Sequence, residues 1–188
     1  FKKLIKCLQN NWEGYENLRQ QVKNQIEYYG NDNQEADEIV KQIYDDFVEF
    51  TRRTKKRKGI LRPPGISTFG RQIGWKQNRK ASADGHLEGD ALANNFSPTP
   101  GTDENGPTSV IKSHCKMNLK KLTNGTALDL KIDPSAVEGK KGIKVLTGLI
   151  KSFINLGGFF MHIDVVNDEI LREAQKHPEK HQNLSVRV

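Results

Sequence analysis

Cysteine is scarce in this chain: Cys7 and Cys115 are the whole supply among 188 residues. Two isolated thiols make no disulfide framework, and neither sits in the doublet spacing of a metal site, so a reducing compartment is the default. Long hydrophobic runs are missing too. No stretch reaches the roughly 20 apolar residues that a spanning helix needs, and none near Phe1 has the pattern of a signal peptide. A cytoplasmic protein with no membrane partner is therefore expected. Because Phe1 is not a start methionine, processing or truncation at the front is expected as well. Hydrophobic residues make up only 35% of the sequence. That is little for a chain burying its own core, and it suits one small domain or a piece of a larger one.

An excess of charge is absent from most of the sequence. The net charge of +7 arises in residues 51–62, TRRTKKRKGILR, and outside that stretch 23 Lys and Arg face 23 Asp and Glu. Such a run can hold anions, which makes Arg52, Arg53, Lys55, Lys56, Arg57 and Lys58 possible anion-binding residues. No aromatic side chains interleave it, however, so nucleic acid is not the expected partner. The plainer reading is a solvated helix end, where cations suit the negative end of the dipole.

What is present is regular at both ends. Leu4, Ile5, Leu8 and Trp12 recur at helical spacing, and a second helical segment, YENLRQQVKNQIEYYG, closes on Gly30. Polar residues 31–33 can cap a third helix, whose Ile39, Ile43, Phe47 and Phe50 share one face. From Gly59 to Pro107 the chain is rich in Gly, Pro, Ser and Asn, with one strand expected over 67–75. The alternation in TALDLKI (126–132) predicts a strand covered on one face. A helix is expected from about Lys141 to Leu156, ended by Gly157 and Gly158, followed by a buried strand in FFMHIDVV (159–166). Strand, helix and strand at this spacing form a βαβ unit of a parallel sheet. Asn167 or Asp168 then caps a last helix ending near His177, because Pro178 blocks continuation. NLSVRV (183–188) reads as a short strand or extended loop.

The residues alone assemble no active site. His177 and His181 have the spacing of a helical metal pair, but Pro178 lies between them and no third ligand is near, so no metal is expected. Adjacency of His114 and Cys115 does not make a reactive pair if both lie on a strand, where neighbours point to opposite faces. His162, in the strand at 159–166, reads first as a hydrogen-bonded core or pocket histidine.

A longer pattern is more informative. SADGHLEGDALANNFSPTPGTDENGPTSVIKSHCK (82–116) carries Asp84, Gly85, Gly89, Leu92, Ala93, Ser97, Pro98, Gly101, Asp103, Gly106, Pro107, Thr108, Ser113 and Lys116 in a fixed order. It resembles the D-G-R, S-P, G-x-D-x-x-G-P-T and S-x-x-K sequence of glycyl radical enzymes. Residues 124–188 resemble that family's C-terminal region, where an N-V-V strand precedes a helix ending A-Q-K-x-P-E-K. Residues 10–40 resemble the helical segment leading into it. NGPTS is more similar to the diol-dehydratase and decarboxylase branch than to pyruvate formate-lyase.

The resemblance implies an α/β fold: the C-terminal part of a ten-stranded barrel, with an N-terminal helical segment. Residues 1–105 would form the end of the pyruvate formate-lyase-like barrel domain and 106–188 a glycine radical domain truncated before the radical glycine. It implies a radical lyase, a dehydratase, decarboxylase or C-acetyltransferase, acting on a small oxygenated or carboxylated substrate. No cofactor would be bound directly; an activating enzyme using S-adenosylmethionine and an iron-sulfur cluster would install the glycyl radical. The other partners implied are the rest of the barrel and a second copy in a homodimer. Neither cysteine matches the family's reactive cysteine and no glycine matches the radical position, so no catalytic residue is assigned and the chain alone is expected to be inactive.

Pocket candidates are His162, Asp164 and Thr68, from strands expected to wall the cavity. Three departures stand out: His86 replaces the arginine of D-G-R, Asp164 replaces the asparagine of N-V-V, and KKRKGILRPPG replaces a shorter turn. The alternative is a non-catalytic remnant or binding module that meets an acidic partner through residues 52–62.

Overall fold

The computed structural model describes residues 1–53, 64–68, 72–75, 78–182 and 184. Helix α1 spans Lys2–Gln9 and α2 Glu16–Gln25, so the second helix stops one turn before the expected Gly30. Gly30 still ends the segment: its φ is +105°, and Pro98 lies where a side chain would begin. Helix α3 (Gln34–Arg53) starts where Asn33 Oδ1 accepts from Ala36 N at 3.0 Å, an N-cap contact.

Among the described residues of the strand expected over 67–75 none is in a strand, and residues 69–71 lie outside the described residues. Ile66 makes one parallel bridge to Thr126, and Gln72–Trp75 are a helical turn, α4. Aromatic and β-branched content favours a pleated surface, but pairing here is confined to the backbone beside Ile66. Helix α5 occupies Gly106–Lys116 and begins with Pro107, whose missing N–H costs nothing in a first turn. His114 and Cys115 are thus helical neighbours rather than the strand neighbours expected; they still point apart.

Strand β1 (Leu128–Ile132), helix α6 (Gly139–Asn155) and strand β2 (Met161–Val165) form the anticipated βαβ unit. The strands pair in parallel, with Leu128 opposite Met161, Asp129 opposite His162 and Lys131 opposite Asp164. Helix α7 (Asp168–Lys176) follows, capped by Asn167 Oδ1 accepting from Ile170 N at 2.9 Å. Of NLSVRV, Asn183 and residues 185–188 lie outside the described residues.

The core sits between β1 and the helices α5 and α6. Leu128, Leu130 and Ile132 point one way along the strand and pack with Val110, Ile111, Leu149 and Phe153. Each such side chain contributes about 1.5–3 kcal/mol when fully buried. β2 is not the fully buried strand expected: Asp164 is buried, Met161, His162 and Ile163 are half-buried, and Phe159 and Phe160 are exposed. Among the described residues β2 has a strand neighbour on one side only. The stripe Ile39, Ile43, Phe47 and Phe50 on α3 is likewise exposed, while Ala36 and Val48 on another face are covered. Ile143 and Ile154 on α6 also stand open.

Candidate functional site

Strand alternation gives the two-stranded sheet two unlike faces. One carries the apolar residues that meet α5 and α6. The other carries Asp129 from β1 and His162 and Asp164 from β2. In an α/β barrel the helices lie outside the strands, so the face turned from α5 and α6 is the inner one.

The geometry of this inner face is a continuous polar chain. His162 Nδ1 lies 3.4 Å from Asp129 Oδ1, and His162 Nε2 lies 3.8 Å from Asp164 Oδ1. Side-chain exposure is 7% for Asp129 and 6% for Asp164, against 30% for His162. Two nearly buried carboxylates thus flank a partly open imidazole. Asp129 Oδ2 also accepts from Asn95 Nδ2 at 2.5 Å, and its backbone N–H donates to Ser97 Oγ at 2.9 Å. Asn95 Oδ1 in turn accepts from Thr68 N at 2.8 Å, while Asn95 N donates to Thr68 Oγ1 at 2.9 Å. Thr68, His162 and Asp164 are therefore joined through two residues the sequence did not single out, Asn95 and Asp129. Asp129 had a signal: its polar place in the TALDLKI alternation, once β1 and β2 are paired, falls beside His162. Asn95 had none.

A second polar cluster ties the loop before α3 to α5. Lys116 Nζ lies 2.7 Å from Asp32 Oδ1 and 2.7 Å from Asp37 Oδ2, and Lys112 Nζ lies 2.9 Å from Asp32 Oδ2. Asp37, almost fully buried, also accepts from Ser113 Oγ at 3.0 Å. The hydrogen bonds from Lys116 and then Lys112 hold the Asp32 carboxyl below the usual carboxylate range. Partial burial works against the charge of Lys116, but its bonds to Asp32 and Asp37 outweigh that and raise the ammonium. Lys116 and Ser113 thereby fasten two segments together.

Buried titratable groups elsewhere are structural. Burial lowers His114 to about 4, in spite of its contact with Phe96 O at 3.3 Å. Its ring lies 5.1 Å from that of Phe96 and 6.0 Å from that of Phe153. Burial pushes the Cys115 thiol up to about 11, so the thiol is neutral rather than reactive. His86 Nδ1 is 2.7 Å from Asp84 Oδ2. Burial opposes the Asp84 charge, yet its bonds from Ser82 and His86 prevail and lower the carboxyl.

The remaining candidates stay apart. Arg52 and Arg53 form the exposed last turn of α3, with Arg53 Nε 2.8 Å from Glu49 Oε1; Lys55, Lys56, Arg57 and Lys58 lie outside the described residues. His177 pairs with Glu179 at 3.4 Å and His181 with Glu173 at 3.6 Å. Among the described residues no group of three or more potential ligands could hold a metal, and no helix is long and apolar enough to cross a membrane.

A parallel βαβ unit with helices on one face and a polar network on the other is a building block of α/β folds, barrels among them. Known proteins give this one a family. Residues 92–188 match the glycine radical family and residues 1–75 the pyruvate formate lyase-like family. The trans-4-hydroxy-L-proline dehydratase of Clostridioides difficile is 37% identical over 98% of this chain and 23% of its own length. The isethionate sulfite-lyase of Bilophila wadsworthia is 32% identical over 98% of this chain and 22% of its own. The structure of the B12-independent glycerol dehydratase of Clostridium butyricum superposes with a TM-score of 0.86 at 30% identity, covering 97% of this chain and 23% of that one. The chain belongs to the glycyl radical enzymes and folds as part of their barrel. It spans under a quarter of the length of these relatives, in their C-terminal part.

Proposed function

We propose that this chain forms the C-terminal wall of a radical lyase, of the dehydratase, decarboxylase or C-acetyltransferase type, acting on a small oxygenated or carboxylated substrate. In this reading His162, Asp164 and Thr68, joined by Asp129 and Asn95, face the substrate cavity. The observation that supports it is the polar chain on the sheet face turned from α5 and α6. A soluble exterior face of a barrel has no need of two nearly buried carboxylates, whereas a cavity needs a few convergent polar groups.

The proposed division of labour is as follows. Residues 1–105 complete the barrel domain and 106–188 belong to the glycine radical domain. The glycyl radical supplies the oxidising equivalent for hydrogen abstraction; the residues here bind and orient substrate and keep the wall closed to water. The partners are the rest of the barrel, an activating enzyme that uses S-adenosylmethionine and an iron-sulfur cluster, and a second copy in a homodimer, all in an anaerobic cytoplasm. The exposed stripe of α3 and the side of β2 that has no strand neighbour among the described residues support a docked barrel.

The test is the activated full-length enzyme with His162→Gln and Asp164→Asn. Radical content, read by electron paramagnetic resonance, should stay at the wild-type level. kcat/KM should fall about 10- to 100-fold, the scale of one or two lost hydrogen bonds to a polar substrate. Unchanged kcat/KM in both variants would remove this face from the cavity.

A further inference from the structure

The joint between α3 and α5 leaves one buried acceptor unused. Asp37 is 2% exposed, and its Oδ2 accepts from Ser113 Oγ at 3.0 Å and from Lys116 Nζ at 2.7 Å. Its Oδ1 is buried too and has no hydrogen-bond partner among the described residues. A buried carboxylate oxygen without a donor is costly, so native proteins supply one, from the chain or from ordered water. Room for a donor exists at this place. Asp32, Gln34, Asp37, Glu38, Lys41 and Lys116 line a pocket of about 460 Å³, far above the roughly 15 Å³ that one water needs.

The chemistry of the lining narrows what the donor is. An acceptor-only anion cannot satisfy a carboxylate oxygen and is repelled by it. A metal ion has no ligand set here: among the described residues no three acids, histidines or cysteines come together to hold one, and the Lys116 ammonium already stands 2.7 Å from both Asp32 Oδ1 and Asp37 Oδ2. Lys116 Nζ carries three hydrogens and directs two at those carboxylates, so one remains to donate. A single group that donates to Asp37 Oδ1 and accepts from Lys116 meets both needs, and water does both. We propose that this pocket is a hydration site, in which an ordered water donates to Asp37 Oδ1, accepts the third N–H of Lys116 and is a resident part of the joint. Asp32 and Asp37 lie in the residues that match the pyruvate formate lyase-like family, Ser113 and Lys116 in those that match the glycine radical family, so the water sits on the seam between the two units. The inference is independent of the cavity-wall reading, because none of these residues belongs to the chain of Asp129, His162 and Asp164.

The experiment is a crystal structure of the full-length enzyme, wild type and Asp37→Asn, with a second set of wild-type crystals soaked in rubidium chloride. The wild type should show one density peak about 2.5–3.0 Å from Asp37 Oδ1 and within hydrogen-bond reach of Lys116 Nζ. Water and a light monovalent cation look alike in density, and the other two arms separate them. Rubidium should give no anomalous signal at the site. In Asp37→Asn the amide oxygen keeps the bonds from Ser113 and Lys116 and the NH₂ turns toward the pocket; water accepts from it and stays, whereas a cation is expelled. A rubidium signal, or loss of the peak in Asp37→Asn, overturns the water in favour of a cation. A side chain or backbone N–H from the rest of the chain seated on Oδ1 overturns the site, and so does a wild-type Oδ1 with no neighbour in density. Should Asp37→Asn fail to fold, the two wild-type data sets decide alone.

Discussion

Acidifying the protein from about pH 7.5 to pH 5 should weaken its fold by about 2 kcal/mol through a single side chain, His114. The ring is fully buried between Phe96 and Phe153, and burial lowers it from the ordinary 6.5 to about 4. The folded protein therefore holds His114 neutral, while the unfolded chain takes up a proton below about pH 6.5. A histidine whose folded value is depressed contributes stability that is complete above the unfolded value and is lost as pH falls toward the folded one. Each pH unit between the two is worth about 1.4 kcal/mol, so the whole window amounts to about 3 kcal/mol and its upper part to about 2. The depressed carboxyls Asp32 and Asp84 add their own losses only near and below their ordinary range of about 4, so above pH 5 only histidines contribute, and His114→Leu separates His114 from the other four. Urea titrations at several pH values, in wild type and in His114→Leu, give the comparison. The variant loses the weak contacts to Phe96 O and, at 3.4 Å, to Thr126 Oγ1, and with them some absolute stability; the decisive quantity is the slope with pH. A wild-type slope near zero between pH 7.5 and 5, or the same slope in His114→Leu, would refute the argument.

Other substitutions test separate parts of the structure. At Gly142 an added Cβ would lie 1.8 Å from the backbone carbon of Val137, so Gly142→Ala should cost about 2 kcal/mol or more. Gly148, in the same helix with open space around it, should gain about 0.5–1 kcal/mol as alanine; equal effects at the two positions in thermal unfolding would contradict the packing of α6. Asp37→Asn keeps the shape but leaves Lys116 with Asp32 as its remaining carboxylate and should cost about 1–3 kcal/mol, discounted because Lys116 is part-exposed; no shift in the urea midpoint would mean water holds that cluster. The Cys115 thiol, pushed up to about 11, should alkylate with iodoacetamide far more slowly in the folded protein than in urea, read by mass spectrometry. Equal rates would show it open to solvent.

The βαβ unit was legible because both periods were intact: Leu128, Leu130 and Ile132 at period two, and Leu149 and Phe153 on one stripe of α6. Gln72–Trp75 were misread as strand because β-propensity reports a fitting surface rather than a pairing partner, and among the described residues here only Ile66 makes a bridge. FFMHIDVV reads as buried on every side, yet Phe159 and Phe160 are open because nothing among the described residues covers them. The stripe of α3 was placed correctly on one face and still stands exposed, since a pattern shows which residues share a side and not what covers it. In the candidate site, His162 and Asp164 came into view through a family pattern. Asp129 needed strand register, which depends on contacts more than thirty residues apart.

The unpaired flank of β2 has a consequence for handling and assembly. Among the described residues β2 has a strand neighbour on one side only, and a row of backbone donors and acceptors left without a neighbour is the arrangement that templates association between chains. Concentrated alone, the polypeptide should self-associate through that flank. A soluble peptide carrying its natural neighbouring strand should compete for the same flank and dissolve the aggregates. Such a flank would make the segment a docking half for reconstituting the barrel from two separately produced pieces.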